Sequence, residues 1–169
     1  MAEEIFDVVD EHDRVVDQAP RSAVHARKLL HRAVHIFVFN SRGELLLQKR
    51  SALKDEYPLC YTSSASGHLN AGETYESAAP RELEEELGLS GPLEWLAKFP
   101  AGPETSQEHT VLYRTTTDVP PRVDPNEIDA APFHPLEEIA AMIARERQKF
   151  SPCFVTLFEW YRTHPSVKH

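Results

Sequence analysis

A chain of 169 residues, 41% hydrophobic and 27% charged, has the size and composition of one compact globular domain, so disorder is not the default. Its formal net charge of −9 argues against a general nucleic-acid binder, which would carry a basic face. An anionic substrate would need screening cations here, and the low cysteine count, the short apolar runs and the lack of a signal-peptide pattern lead us to expect a soluble cytoplasmic protein with no membrane partner.

The run Ile5–Asp10, the polar stretch Glu11 to Arg14 and the run Val15–Asp17 predict two short strands around a turn, an N-terminal β-hairpin ended by Pro20. Ser22 to Leu30 has helical composition, with Ala23, Ala26, Leu29 and Leu30 on one side. Ala33–Phe39 is a β-rich run, Asn40-Ser41-Arg42-Gly43 is turn chemistry, and Leu45–Arg50 returns as a strand. The near-continuous apolar character of both strands predicts a sheet covered on both faces, as in a layered α/β domain.

Thr74 to Leu87 predicts a helix with Thr74 as N-cap and Gly88 as the stop. Pro80 removes one of its backbone hydrogen bonds, so the helix either starts after Thr74 or bends at Pro80. Leu93–Phe99 and Thr110–Thr117 read as strands. Val119 to Pro135, with five prolines, reads as a long loop around a short strand, and Leu136–Arg147 and Pro152–Arg162 read as amphipathic helices. No repeat or linker interrupts the chain, and one domain accounts for residues 1–169.

The chemistry concentrates between Gly67 and Leu89. On a helix, Glu82, Glu85 and Glu86 stand at i, i+3 and i+4 and share one face, while Leu83 and Leu87 anchor the opposite one. Like charges so spaced cost an isolated helix about 0.2–0.5 kcal/mol per pair. A merely solvated face would interleave lysines, yet the only positive neighbour is Arg81. Stacked carboxylates are hard oxygen ligands of the kind that hold Mg²⁺ or Mn²⁺, with substrate phosphates completing the shell.

The segment resembles the Nudix signature: Gly67, five residues, Glu73, seven residues, then Arg81-Glu82-Leu83-Glu84-Glu85-Glu86-Leu87-Gly88-Leu89. A chance match at all nine fixed positions is roughly one in 10⁹ per start point. The resemblance implies a Nudix fold, a mixed β-sheet sandwiched between helices, and Mg²⁺-dependent hydrolysis of a diphosphate bond, an acid anhydride, in a nucleoside diphosphate derivative or similar small molecule. It further implies that Glu85 and Glu86 bind metal, and that Glu82 binds metal or takes the proton from the attacking water. Glu73 becomes a supporting ligand or the partner of an arginine, Arg81, which orients the cluster. Gly67 permits a tight loop, with a backbone carbonyl near Ser66 also in reach of the metal. Glu127, in the Pro-rich loop where some members place a further glutamate, is a second candidate base. Homodimers are common in the family.

Outside the signature, His31-Arg32-Ala33-Val34-His35, Leu45–Ser51, Lys54-Asp55 and Tyr61–Ser64 resemble the isopentenyl-diphosphate isomerase branch. That resemblance implies a possible second metal site of His25, His31, His68 and Glu108, and diphosphate contacts from Arg50 and Lys54. Two positions depart from it: Ser66 stands where the isomerase has its essential cysteine, and Thr110 where a second glutamate would follow Glu108. A serine is a poor proton donor or acceptor without an added base. Hydrolysis is therefore the favoured reading, with isomerase-like chemistry and a non-catalytic diphosphate sensor as alternatives. Tyr61 and Phe99 are candidates for the pocket wall, though aromatic residues near strand ends are more often core, and the segment 101–107 and the Pro-rich loop are candidate substrate selectors.

Overall fold

The computed structural model describes residues 3–164. Strands β1 (Ile5–Val9) and β2 (Val15–Pro20) form the expected antiparallel hairpin. Its turn is latched to the body by Asp13, whose carboxylate accepts from Arg32 Nε at 2.6 Å, from the Tyr75 hydroxyl at 2.8 Å and from Lys98. Helix α1 (Arg21–Ala26) is shorter than the predicted Ser22–Leu30, because Lys28 turns into the left-handed region at φ 52. The turn carries Leu29 and Leu30 directly into β3 (His31–Phe39).

The predicted strand Leu45–Arg50 is two strands, β4 (Leu45–Leu46) and β5 (Gln48–Arg50). Leu47 between them donates its N–H to the Pro132 carbonyl at 2.8 Å, and the chain changes sheets there. Next come β6 (Tyr61–Thr62), β7 (Ala65–His68), α2 (Tyr75–Leu87), β8 (Glu94–Phe99) and β9 (Glu108–Thr116). The Pro-rich stretch holds two short strands rather than one, β10 (Ile128–Ala130) and β11 (Phe133–His134). Helix α3 (Leu136–Arg145) ends two residues before the expected Arg147, in a 3₁₀ turn over Arg147–Lys149, and α4 (Pro152–Arg162) has the expected bounds.

The principal sheet is mixed, in the order β11-β4-β3-β9-β8 with β7 sharing an edge of β3 with β4. The central β3–β9 pair is parallel over nine residues, from His31 opposite Glu108 to Phe39 opposite Thr116. A second, antiparallel sheet runs β10-β5-β6. Alternation along β3 divides the core. Val34, Ile36 and Val38 pack with Leu83 and Leu87 of α2, whereas Phe37 and Phe39 pack with Phe154, Leu157 and Phe158 of α4. Helices thus cover both faces of β3 over Ile36 to Phe39, which explains the continuous apolar run there.

Helix α2 starts at its expected cap. Thr74 accepts from the Ser77 N–H at 3.1 Å, the Ser77 hydroxyl receives the Thr74 N–H in return, and Gly88 closes the helix at φ 64. Pro80 lies inside the helix, so the later-start option is wrong. Pro80 and Glu76, the residue whose carbonyl loses its helical donor, are both exposed.

Candidate active site

The sheet face beneath α4 is only half covered. Beyond Phe37, the side chains of Ala33 and His35 share this face with their register partners: His68 and Ser66 on β7, and Thr110 and Leu112 on β9. Ala33, His35, Ser66, His68 and Glu108 there line a cleft of about 540 Å³. Helix α2 lies on the other face and brings Glu82, Glu85 and Glu86 into the cleft past the β7 edge.

Arg81 organises these carboxylates. Its Nε and Nη2 donate to the two Glu73 oxygens at 2.7 Å each, Nη1 donates to Glu82 at 2.8 Å and Glu85 at 3.2 Å, and Nη2 also reaches the His68 carbonyl at 3.2 Å. Glu73 further accepts the Asn70 N–H at 3.0 Å, so neither oxygen is left without a donor. Glu86 Oε1 accepts the Ser66 N–H at 2.7 Å and the Gln48 side chain at 3.3 Å.

Gly67 is central to this packing. A Cβ on Gly67 would fall inside the Glu82 carboxyl group, so only glycine lets that side chain lie against the β7 backbone. The expectation of a tight loop at Gly67 is therefore replaced. Gly67 sits within β7 and takes no positive φ, and the turn before α2 belongs to Gly72 at φ 82.

Burial, and then the neighbouring Glu86 charge, push the Glu82 carboxyl up to about 8. Burial likewise pushes Glu86 up to about 7 against the Ser66 and Gln48 hydrogen bonds. Eight acidic side chains line the cleft against four basic ones. Glu82 and Glu85 share Arg81 with Glu73 while Glu86 is held by Ser66 and Gln48, and a hard divalent cation fits this set of oxygen donors.

Arg50, Lys54 and Glu127 also line the cleft, at its mouth. Arg50 Nε donates to the Glu56 carbonyl at 2.9 Å, and Lys54 Nζ pairs with Glu127 at 2.6 Å. Arg21, which the sequence reading missed, lines the cleft from the start of α1 and pairs with Glu4 at 3.7 Å. No motif marks Arg21, because only the hairpin and the short α1 bring it there.

The four residues of the possible second site come together from distant parts of the chain. Ligand atoms of His25, His31 and His68 all lie within 4.8 Å of one another, and Glu108 approaches His68 Nε2 at 3.4 Å. His31 Nδ1 lies 2.8 Å from the Leu29 carbonyl, which can only accept, so Nδ1 carries the proton and Nε2 the lone pair. That Nε2 is buried with no partner among the described residues. Burial lowers His31 to about 4 and lowers His68 well below its ordinary value, so both rings are neutral at pH 7, as metal ligation requires. His25 and His31 stand behind the cleft wall, as does Glu73, while His68 and Glu108 reach it.

A model of the NUDIX domain matches residues 29–154 of the chain. The chain belongs to the Nudix family. This Nudix protein is 51% identical over 87 residues to an uncharacterized Nudix hydrolase of Nostoc, covering 51% of the chain and 52% of that relative. It is 32% identical over 162 residues to an isopentenyl-diphosphate Delta-isomerase of Serratia proteamaculans, covering 93% and 90%. A crystal structure from Deinococcus radiodurans has a TM-score of 0.74 at 32% identity, covering 84% and 90% of the two chains. In the first curated relatives, the matched part of this Nudix protein spans about half of the relative's length. Relatives under both names fit an isomerase-like Nudix branch.

Several expectations about the walls are corrected. Tyr61 packs on Phe150 at 5.5 Å and Phe99 on Trp160 at 5.6 Å; both belong to the α4 side of the core and neither lines the cleft. From the segment 101–107 only Ser106 reaches the cleft, and from the Pro-rich stretch only Asp124 and Glu127 do. His35 and Cys153, given no site role in the sequence reading, face it 3.6 Å apart. No helix among the described residues is long and apolar enough to cross a membrane.

Proposed function

We propose that this protein is a divalent-metal-dependent diphosphohydrolase that cleaves the phosphoanhydride bond of a nucleoside diphosphate derivative or similar small organic diphosphate. The observation that carries the reading is the glutamate set of α2, gathered by Arg81 and set against Gly67 in a polar cleft. Glu85 and Glu86 would hold Mg²⁺, or Mn²⁺, with Glu82 beside them. The bound ion would neutralise charge on the diphosphate oxygens and acidify a water. Of the two roles open to Glu73, its bidentate engagement favours partner of Arg81 over direct ligand. Arg50 and Lys54 would meet the diphosphate from the mouth.

Incubation with a panel of diphosphates and Mg²⁺ should release phosphate-ended products, and Glu85→Gln should abolish the release. If the wild type cuts nothing and Glu85→Gln binds metal equally well, the reading fails. The raised carboxyls add a pH signature. Glu82 and Glu86 must lose protons to bind a cation, so Mg²⁺ affinity measured by calorimetry should fall as pH drops from about 8 to 6, with proton release on binding. An affinity flat across that window would count against these ligands.

Glu82 would take the proton from the attacking water, with Glu127 as the second candidate. General-base catalysis contributes about 10²–10⁴-fold. Glu82→Gln should therefore cost at least about 100-fold in kcat, while Glu127→Gln, whose partner is Lys54, should cost less than about tenfold. The reverse order would transfer the role to Glu127.

The histidine cluster favours a second feature. We propose that His25, His31 and His68, with Glu108, hold a transition metal, supported by the orphaned Nε2 of His31. Isomerase-like chemistry remains the second reading because of the isomerase-named relatives and this cluster. Deuterium uptake from solvent into isopentenyl diphosphate would support it, and its absence over long incubation would remove it.

A further inference from the structure

We infer that the cleft selects diphosphates carrying a small hydroxylated group, a sugar or polyol, and that Thr62, Ser66 and Cys153 read that group. The inference builds on the diphosphohydrolase reading but is tested by binding, independently of turnover.

Small-molecule pockets are usually walled by hydrophobic and aromatic side chains, with a few polar groups for orientation. This cleft reverses the pattern. Its lining contains no Val, Leu, Ile, Met, Phe or Trp, and Ala33, Tyr57 and Cys153 are its least polar side chains. Tyr57 stands in the loop after β5, 43% exposed. A prenyl chain would find no apolar wall, and a base would find no aromatic pair to stack between.

The inner wall is built from short hydroxyl side chains next to the carboxylates. The Ser66 N–H holds Glu86, and Ser66 stands opposite His35, which in turn lies 3.6 Å from Cys153 Sγ. The Ser66 hydroxyl has no hydrogen-bond partner among the described residues. Thr62, register partner of Gln48, which also touches Glu86, lies 2.8 Å from the Ser151 hydroxyl. Each hydroxyl offers one donor and two acceptor sites, so this pair keeps capacity for a ligand. Hydroxyl groups on the substrate would take the place of solvent as hydrogen-bond partners of these side chains. An apolar chain would displace solvent and leave the wall unpaired, a discrimination that hydrogen-bonding sites make strongly.

The test measures calorimetric binding, with Mg²⁺, of methylene-bridged analogues of a hexose 1-diphosphate and of isopentenyl diphosphate. The wild type should bind the hexose analogue at least tenfold more tightly. Thr62→Val and Ser66→Ala, which delete hydroxyls, and Cys153→Val, which places a branched apolar group on the wall, should each narrow that ratio while leaving Mg²⁺ affinity unchanged. Equal or tighter binding of the isopentenyl analogue, or a ratio unmoved in all three variants, overturns the inference. If the preference holds but the wild type cuts nothing in the diphosphate panel and Glu85→Gln binds Mg²⁺ equally well, the selection stands and the hydrolase reading fails. If hydrolysis occurs without the preference, the selection fails and the hydrolase reading stands.

Discussion

Glu86→Gln is expected to lose at least about 100-fold in hydrolysis and, without metal at pH 8, to melt above the wild type. Outer-sphere partners of metal ligands are worth about 10–100-fold in affinity or activity, and a direct ligand should exceed that. The stability gain follows from the carboxyl's environment. Burial raises Glu86 from its ordinary value to about 7. Below about 4.5 the group is protonated in both the folded and unfolded chain, and its substitution changes little. As pH rises through 7 the unfolded chain has already ionised while the folded one must bury the charge, so stability is lost across that window and the full penalty is present at pH 8. Gln removes the penalty and can still accept the Ser66 N–H. A gain of a few kcal/mol is the upper end, and each about 1 kcal/mol moves Tm by about 2–4 °C in a chain of this size.

Mg²⁺ should invert the comparison. A ligand that binds only the folded state adds about 2.7 kcal/mol at one hundred times its Kd, so saturating Mg²⁺ should raise the wild type far more than Glu86→Gln. Thermal unfolding at pH 4 and pH 8, with chelator and with Mg²⁺, checks all four cases. A variant that melts below wild type at pH 8 without metal would show that Glu86 serves the fold rather than a cation.

The legible parts of this molecule are those in which neighbours in sequence decide the outcome. Helix α2 is one: Thr74 and Gly88 satisfy its terminal groups within a few residues, and the i, i+3, i+4 spacing alone places Glu82, Glu85 and Glu86 together. The near-continuous apolar character of β3 likewise implied cover on both faces. Where long-range pairing decides, the sequence was silent or misleading. Leu45–Arg50 reads as one strand, but Leu47 is bound by Pro132, eighty-five positions away, and the chain divides between two sheets. Tyr61 and Phe99 could read as wall, though aromatics near strand ends are more often core, and only the placement of α4 settles them. Arg21 and Cys153 carry no local pattern; their meaning comes from facing the same cleft as the glutamates.

Gly67 shows how a motif position can be recognised correctly and explained wrongly, and its substitution separates the two explanations. Gly67→Ala is expected to lower kcat/KM by about 100-fold and to destabilise the fold by about 1–3 kcal/mol. Its added methyl would occupy the space of the Glu82 carboxyl, and Glu82 shares Arg81 Nη1 with Glu85, so displacement of one carboxylate pulls on the others. A misplacement on the order of 1 Å at a catalytic group is enough for a loss of that size. Because the conflict is steric, shortening the opposing side chain should relieve it. Glu82→Asp withdraws the carboxyl by roughly 1.5 Å, one carbon–carbon bond. The double variant Gly67→Ala/Glu82→Asp should therefore melt above Gly67→Ala alone, with a coupling energy of about 0.5–3 kcal/mol in the mutant cycle. If glycine were needed there for backbone conformation, the strain would persist whatever occupied position 82, and the two substitutions would simply add. Stability measured for the four proteins of the cycle decides between a close approach and a turn.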